Sequence, residues 1–502
     1  MKKSIFLISL LMILVMALFA ACGNGNGNDN DTGDTGQNQQ DQQEQPPADD
    51  PQGTAGVATD PADPGDGRRA LPPMTTENIE LVFTHIGVYQ VMLDLVAQAF
   101  MELHPNITVH AIELNTFYYS DNMHLMAADG MLPDVFFVED IVGWTLNGWL
   151  MDISELVEND PRTDLIGDSF MHLGIFDGVR TALPVYAHPI LGVINVDYFD
   201  RFNEPIPDIA DWNWNTVIEI AERISRPNEM MFGIGKSGFF STENYLHHAS
   251  AIMSGTRGRY GYLPGEGYLF CQDWIDLIGI RNDLSARGVI DNASADQKYA
   301  ILGENVNLSD RGFAGISFID FWEIHTMLRA PFDIVTLPFP VMPGGRQPVT
   351  SDMAGISAIT PHPREAYEFL KFFFFSPDAW NIKYDFWAET EEDMAVSRLP
   401  NHSIPEETHQ RLDAVFGHDS WRAIYHALVH NSTEGSHHTP GTRAFARWRG
   451  EGGYWWQLLD WSAPQLFPAD VAGEFTTRIN EFYRSEMEAL RAVTPTLNRF
   501  TW

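Results

Sequence analysis

Ile79-Glu80-Leu81-Val82-Phe83, Ile107-Thr108-Val109-His110-Ala111-Ile112 and Pro133-Asp134-Val135-Phe136-Phe137-Val138 are three β-prone runs in one stretch, and that stretch decides the fold. Between the first two, Val91, Leu95 and Ala99 recur every four residues, and Leu93, Val96, Phe100 and Leu103 widen the apolar face. That period predicts a helix, which His104-Pro105-Asn106 stops. Between the second and third runs a helix is predicted from Ser120 to Asp129, ended by Gly130. The third run is apolar enough for burial on both faces. A β-α-β-α-β order implies an α/β fold with a parallel sheet and helices on both sides of it.

Later segments continue the style. Trp212-Asn213-Trp214-Asn215 opens a helix carrying Val217, Ile218, Ala221 and Ile224. Phe332 to Pro338 and Met353 to Ile359 read as strands, and Pro363-Arg364-Glu365 starts a Phe-rich helix. Phe475, Ile479, Phe482 and Leu490 mark a last one. No repeat of fixed period is present.

A chain of 502 residues with 44% hydrophobic and 12% aromatic residues builds sizeable cores, so it is not disordered as a whole. Its net charge of −37 repels phosphate backbones and excludes nucleic acid as a natural partner. Two cysteines exclude a disulfide framework and a cysteine-based zinc cluster. Cys271, between Phe270 and Trp274, reads as an inert buried thiol.

The N-terminus sets the compartment. Lys2 and Lys3 precede an apolar run from Ile5 to Ala21 broken only by Ser9, and Ala20-Ala21 abut Cys22. The run is slightly short for a membrane span and ends as a signal peptide does. It resembles a bacterial lipoprotein signal, in which residues 1–21 are removed and Cys22 carries lipid. Residues 22–75 are rich in Gly, Asn, Asp, Gln and Pro and hold no aromatic. Such a segment lacks the apolar surface to offset its ordering entropy, so it reads as a disordered, lipid-anchored linker.

Five segments, taken in order, resemble the bacterial extracellular solute-binding proteins of family 1, the maltose- and oligosaccharide-binding type. They are Ala127-Ala128-Asp129-Gly130 with Pro133 to Phe137; Ala182-Leu183-Pro184-Val185-Tyr186 with Gly192 to Phe199; Ile209 to Trp214; Gly315-Ile316-Ser317-Phe318 through Trp322; and Ile334 to Pro338, then Gly355 to Ile359, then Glu365 to Phe372. The resemblance implies a two-lobed periplasmic-binding-protein type II fold with discontinuous lobes joined by a hinge. Lobe one would take 76–186 plus 334–384, and lobe two 187–333 plus 385–502. It also implies a monomeric ABC-importer lipoprotein with no catalytic residues and no cofactor. Such a protein captures a small solute, most often a sugar, between its lobes and passes it to permease subunits.

Sugars pack apolar ring faces on aromatic planes and need fixed partners for their hydroxyls. Trp322, after Asp320 at a strand end, matches the family's strand-to-cleft Trp. Tyr245, beside Glu243, and one of Trp455 and Trp456 occupy positions that resemble its other cleft aromatics. His85 and Tyr89 follow the first strand, and Glu139 and Asp140 follow the third. The four carboxylates Glu139, Asp140, Glu243 and Asp320 are hydroxyl acceptors on this reading and helix caps or surface charges on the plainer one. Paired carboxylates also serve a glycosidase, so a surface glycosidase or esterase is one rival. A binding lipoprotein for a non-sugar solute or a sensor partner is the other. His426 and His430 share a helix face, but no Glu follows His426, so the zinc-protease pattern is absent and no metal site is expected.

Overall fold

The computed structural model describes residues 67–236, 247–270, 272–390, 398–401, 406–429, 432–434, 439–451 and 468–501. The signal segment, Cys22, the linker up to 66, Glu243, Tyr245, Cys271, His402, His430, His437, His438, Trp455 and Trp456 lie outside the described residues.

The deciding stretch folds in the expected order. It runs β1 (Ile79–Ile86), α1 (Gln90–Leu103), β2 (Ile107–Leu114), α2 (Tyr119–Ala128), β3 (Val135–Val138), then a short α3 (Ile141–Leu146). β1 pairs parallel with β2 on one side and β3 on the other. In α1 the buried stripe is Met92, Leu93, Val96, Ala97 and Phe100. Val91, Leu95 and Leu103, expected on the apolar face, are exposed. The helix is apolar over more than one stripe, and tertiary partners choose between them. Phe100 packs on Phe369 and Phe372, at ring distances of 5.1 and 5.5 Å.

The next long element is β4 (Leu183–Asn195), buried along its whole length. It is followed by α4 (Trp214–Ile224), β5 (Phe232–Ile234), β6 (Ala314–Asp320), β7 (Ile334–Pro338) and β8 (Gln347–Ile356). Asn213 starts α4 because its side-chain oxygen accepts from the backbone N–H groups of Asn215 and Thr216, at 3.0 and 3.3 Å. β8 lies antiparallel to β3 and to β4, so the sheet is mixed, not purely parallel. The strand order is β2-β1-β3-β8-β4-β6-β5.

β4 joins two halves. Its first part pairs with β8, and its second part, from Ile190 on, pairs with β6 and β7. Two separate apolar cores form, and β4 contributes side chains to both. The first gathers Leu81, Phe83, Val135, Phe137, Met353 and the Phe-rich helix α5 (Pro363–Phe375). The second gathers Ile194, Trp212, Trp214, Ile316, Phe318, Leu337 and Phe475. β7 extends the second half of β4, and Leu337 packs in the second core. Leu399, Leu412, Trp421 and Leu490 pack in the first.

One helix end is sealed by side chains. Pro377 opens α6 (Pro377–Thr390) and has no N–H for the carbonyl of Phe373 four residues back. The buried Lys383 amine donates to that carbonyl at 2.6 Å, and the Trp380 indole donates to the Phe374 carbonyl at 2.8 Å. Two helices complete the parts used below, α7 (Thr442–Glu451) and α8 (Pro468–Val493).

Candidate functional site

The C-terminal ends of β1 and β3, the middle of β4 and the bulge in β8 meet where the two cores join. Open α/β sheets place ligands at strand carboxyl ends.

His85, near the end of β1, is fully buried. Its Nδ1 lies 2.7 Å from the Ile86 carbonyl, which only accepts, so Nδ1 carries the proton. Nε2, 3.1 Å from the Tyr186 hydroxyl, therefore accepts from it. Burial, then the nearby Arg398 guanidinium, hold the imidazole pKa well below its usual value. His85 is thus a neutral scaffold residue whose outward contact is Tyr186 on β4. Arg398 closes the same strand end, donating to the carbonyls of Gly87 and Ile86 at 2.6 and 3.0 Å. Its guanidinium also lies 5.5 Å over the Tyr186 ring. Tyr89 is half-buried and packs towards Phe386, at 6.2 Å between ring centres.

Two residues along β4 from Tyr186, the His188 Nε2–H donates to Asp352 Oδ2 at 2.8 Å. Asp352 stands at the register shift of β8, a bulge that re-aims a side chain. The other ring nitrogen of His188 is buried and has no hydrogen-bond partner among the described residues. The His188 ring meets Trp322 edge to face, 5.4 Å between centres. Among the described tryptophans Trp322 alone is exposed, at 40%. Asp320 is buried and caps the turn Phe321–Glu323, in a capping box with Glu323. It positions Trp322 and does not itself face solvent.

Glu139 and Asp140 follow β3 and are half-buried. Asp140 caps α3 by accepting from the Gly143 N–H at 3.0 Å. A Cβ on Gly143 would sit 2.4 Å from that carboxylate, so a larger residue there would push the capping side chain aside. Burial raises the Glu139 pKa, with Asp352 and Asp140 adding to the effect and Arg443 opposing it. Arg443 on α7 donates to the Glu139 carbonyl, and its Nε lies 3.8 Å from Asp140 Oδ1. Phe445 on the same helix packs in the second core, so Arg443 bridges the lobes. Beside it, a fissure has Ile141, Leu173 and Phe176 on one wall and Tyr262 and Thr439 on the other.

The structure therefore brings Trp322, Glu139 and Asp140 to one junction and turns His85 and Asp320 into supports beneath it. Tyr186, His188, Asp352, Arg398 and Arg443 were missed in the sequence. A signal existed for one of them: His188 interrupts the apolar run of β4. Among the described residues no three His, Cys, Asp or Glu side chains gather as metal ligands would.

Two α/β lobes joined through a crossing strand, with polar and aromatic side chains at the junction, define a two-lobed binding protein. The chain matches the model of the bacterial extracellular solute-binding protein family over residues 84–379, more than half its length, and belongs to that family. No curated protein sequence matches it. Solved structures share the fold at low identity. An ABC substrate-binding protein from Listeria monocytogenes in complex with cycloalternan is 16% identical, covering 84% of this chain and 99% of that one, with a TM-score of 0.55. A cyclic α-maltosyl-1,6-maltose binding protein from Arthrobacter globiformis is 14% identical, covering 84% and 98%, with a TM-score of 0.58. A cyclo/maltodextrin-binding protein complexed with maltotetraose is 14% identical, covering 82% and 98%, with a TM-score of 0.59. No helix among the described residues is long and apolar enough to cross a membrane.

Proposed function

We propose that this protein is the lipid-anchored, monomeric substrate-binding subunit of an ABC importer, and that its cargo is a carbohydrate held between the lobes. The observation that carries the reading is the exposed face of Trp322 set against the His188–Asp352 pair. An aromatic plane beside fixed hydrogen-bonding groups suits a pyranose ring and its hydroxyls. Nδ1 of His188 hydrogen-bonds one hydroxyl, and Asp352, Glu139 and Asp140 accept from others. Glu243, Tyr245 and one of Trp455 and Trp456 complete the pocket. The sugar ligands named for the similar structures support the same class of cargo.

Cargo enters by hinge motion about β4 and the strands beside it, and leaves chemically unchanged to the permease. Lipid on Cys22 and the 22–75 spacer hold the body at the outer membrane surface. The folded body takes up this tether at the end of the sheet remote from the site. There Arg364 donates to the Pro72 carbonyl at 2.8 Å, and Glu365 accepts from the Thr75 N–H at 2.6 Å.

A thermal-shift screen against mono- and oligosaccharides tests the cargo, because a ligand bound only by the folded state raises the unfolding midpoint. A midpoint that rises with sugar concentration is expected, with no turnover of chromogenic glycosides or esters. A flat response to every sugar sinks the carbohydrate reading, and turnover sinks the importer reading in favour of an enzyme.

A further inference from the structure

The turn after β2, Thr116–Tyr118, carries two aromatics outside any core. Phe117 is 91% exposed and Tyr118 is 64% exposed. Leaving two such rings in water forgoes the burial energy that aromatics ordinarily supply to a fold.

The turn stands at the site's edge of the sheet. β2 is parallel to β1, with Glu113 opposite His85 and Leu114 opposite Ile86. Chain leaving β2 therefore emerges beside the carboxyl ends of β1 and β3, where His85 and Glu139 stand. Adjacent strands lie about 5 Å apart, so the turn is within a few sugar rings of Trp322's junction.

The turn is also held rigid. The Asn115 side chain accepts from the Phe117 N–H at 2.9 Å, and the Tyr118 N–H donates to the Asn115 carbonyl at 3.1 Å. The next residue, Tyr119, is fully buried. Its hydroxyl donates to the Phe137 carbonyl at 2.7 Å and lies 3.3 Å from Thr84 Oγ1. One tyrosine thus plugs the turn into β1 and β3 while its two neighbours face outward. In sequence, Glu113 and the exposed Asp121 lie on either side of the turn. Charged groups are depleted at the centre of protein–protein interfaces, whereas small-molecule sites combine aromatic side chains with a few polar groups.

We propose that Phe117 and Tyr118 form a rim platform on which an outlying pyranose ring of an extended carbohydrate stacks, so that the protein selects oligosaccharides by chain length over monosaccharides. This rests on the carbohydrate reading above and names the ligand class for it.

The test is calorimetric titration of the full chain with two ladders, glucose to maltohexaose and N-acetylglucosamine to chitohexaose. Wild-type affinity is expected to rise along one ladder. The double variant Phe117→Ala/Tyr118→Ala should lose about tenfold to a hundredfold in affinity for the longest member, two stacking contacts' worth. Its affinity for the shortest member that binds should stay within about twofold of wild type, well under the 1.4 kcal/mol that a tenfold change represents. Phe117→Trp/Tyr118→Trp should restore the length dependence, which separates lost stacking from a disturbed turn. Affinity independent of chain length, or a double variant equal to wild type at every length, overturns the rim platform and leaves the carbohydrate reading intact. Normal binding with lost uptake in cells assigns the turn to the permease and also overturns it. No binding on either ladder overturns the rim platform, and no response to any sugar in the thermal-shift screen overturns the carbohydrate reading as well.

Discussion

Replacing Glu368 with Gln removes one charge from a buried ion network where the folded body meets its N-terminal tether. Glu368 Oε2 lies 2.9 Å from Lys371 Nζ and 2.6 Å from Arg364 Nη1, and Lys371 also pairs with the buried Asp160 at 2.5 Å. Burial alone would raise this carboxyl's pKa, but Lys371 and Arg364 together outweigh it and bring the pKa down from 4.5 to about 2. A group depressed in the folded state contributes stability above its unfolded pKa and loses it as pH falls towards the folded one. The shift corresponds to about 3 kcal/mol at pH 7. Removing one partner of a buried pair costs about 3–5 kcal/mol by itself, which agrees. Urea unfolding of wild type and Glu368→Gln is the assay. The gap between them should be about 3 kcal/mol at pH 7 and less than half of that at pH 3, because the unfolded wild-type chain is protonated there and ionising Glu368 on folding gains less. A gap under about 1 kcal/mol at pH 7, or one that does not shrink in acid, refutes the electrostatic account. Sugar affinity should not change, since the network stands at the opposite end of the sheet from Trp322.

Four further outcomes are expected. Trp322→Ala should weaken carbohydrate binding by about tenfold or more, with little effect on the unfolding midpoint, because the lost ring is an exposed stacking surface; unchanged affinity would remove Trp322 from the site. Tyr186→Phe leaves His85 Nε2 buried without its donor and should cost about 1–3 kcal/mol in chemical denaturation. Because burial and Arg398 lower the His85 pKa, folding keeps the imidazole neutral. Its contribution is complete above the unfolded value of 6.5 and declines as pH falls below it. A His85→Gln variant should therefore lose less stability than wild type between pH 7 and pH 5. Arg443→Ala removes an exposed bridge between the lobes, so stability should move by less than about 1 kcal/mol. The Glu139 carboxyl, relieved of its one lowering neighbour, should titrate higher still by NMR.

Much of the fold was legible because periodicity is a local property. The runs at β1, β2 and β3 alternate with helical spacing, and Asn213 caps α4 through its own side chain. The family resemblance rested on the same segments that the family model spans. Legibility ended where two distant segments share a surface. Which stripe of α1 is buried depends on Phe369 and Phe372, more than 250 residues further along the chain. That β7 belongs beside the second half of β4 depends on pairing, to which composition is blind.

The candidate site shows the same division. By itself the sequence established an α/β chain with a strand-end tryptophan at 322 and carboxylates after the third strand, because each of these is written in a few neighbouring residues. Only the tertiary structure decided that His85 and Asp320 are buried supports. It alone set His188 against Asp352, 164 positions apart. It alone left Phe117 and Tyr118 in solvent beside a buried Tyr119. Burial and pairing are properties of the whole packed chain, so the side chains that meet at the junction of the two cores are chosen by strand register and not by neighbours in sequence.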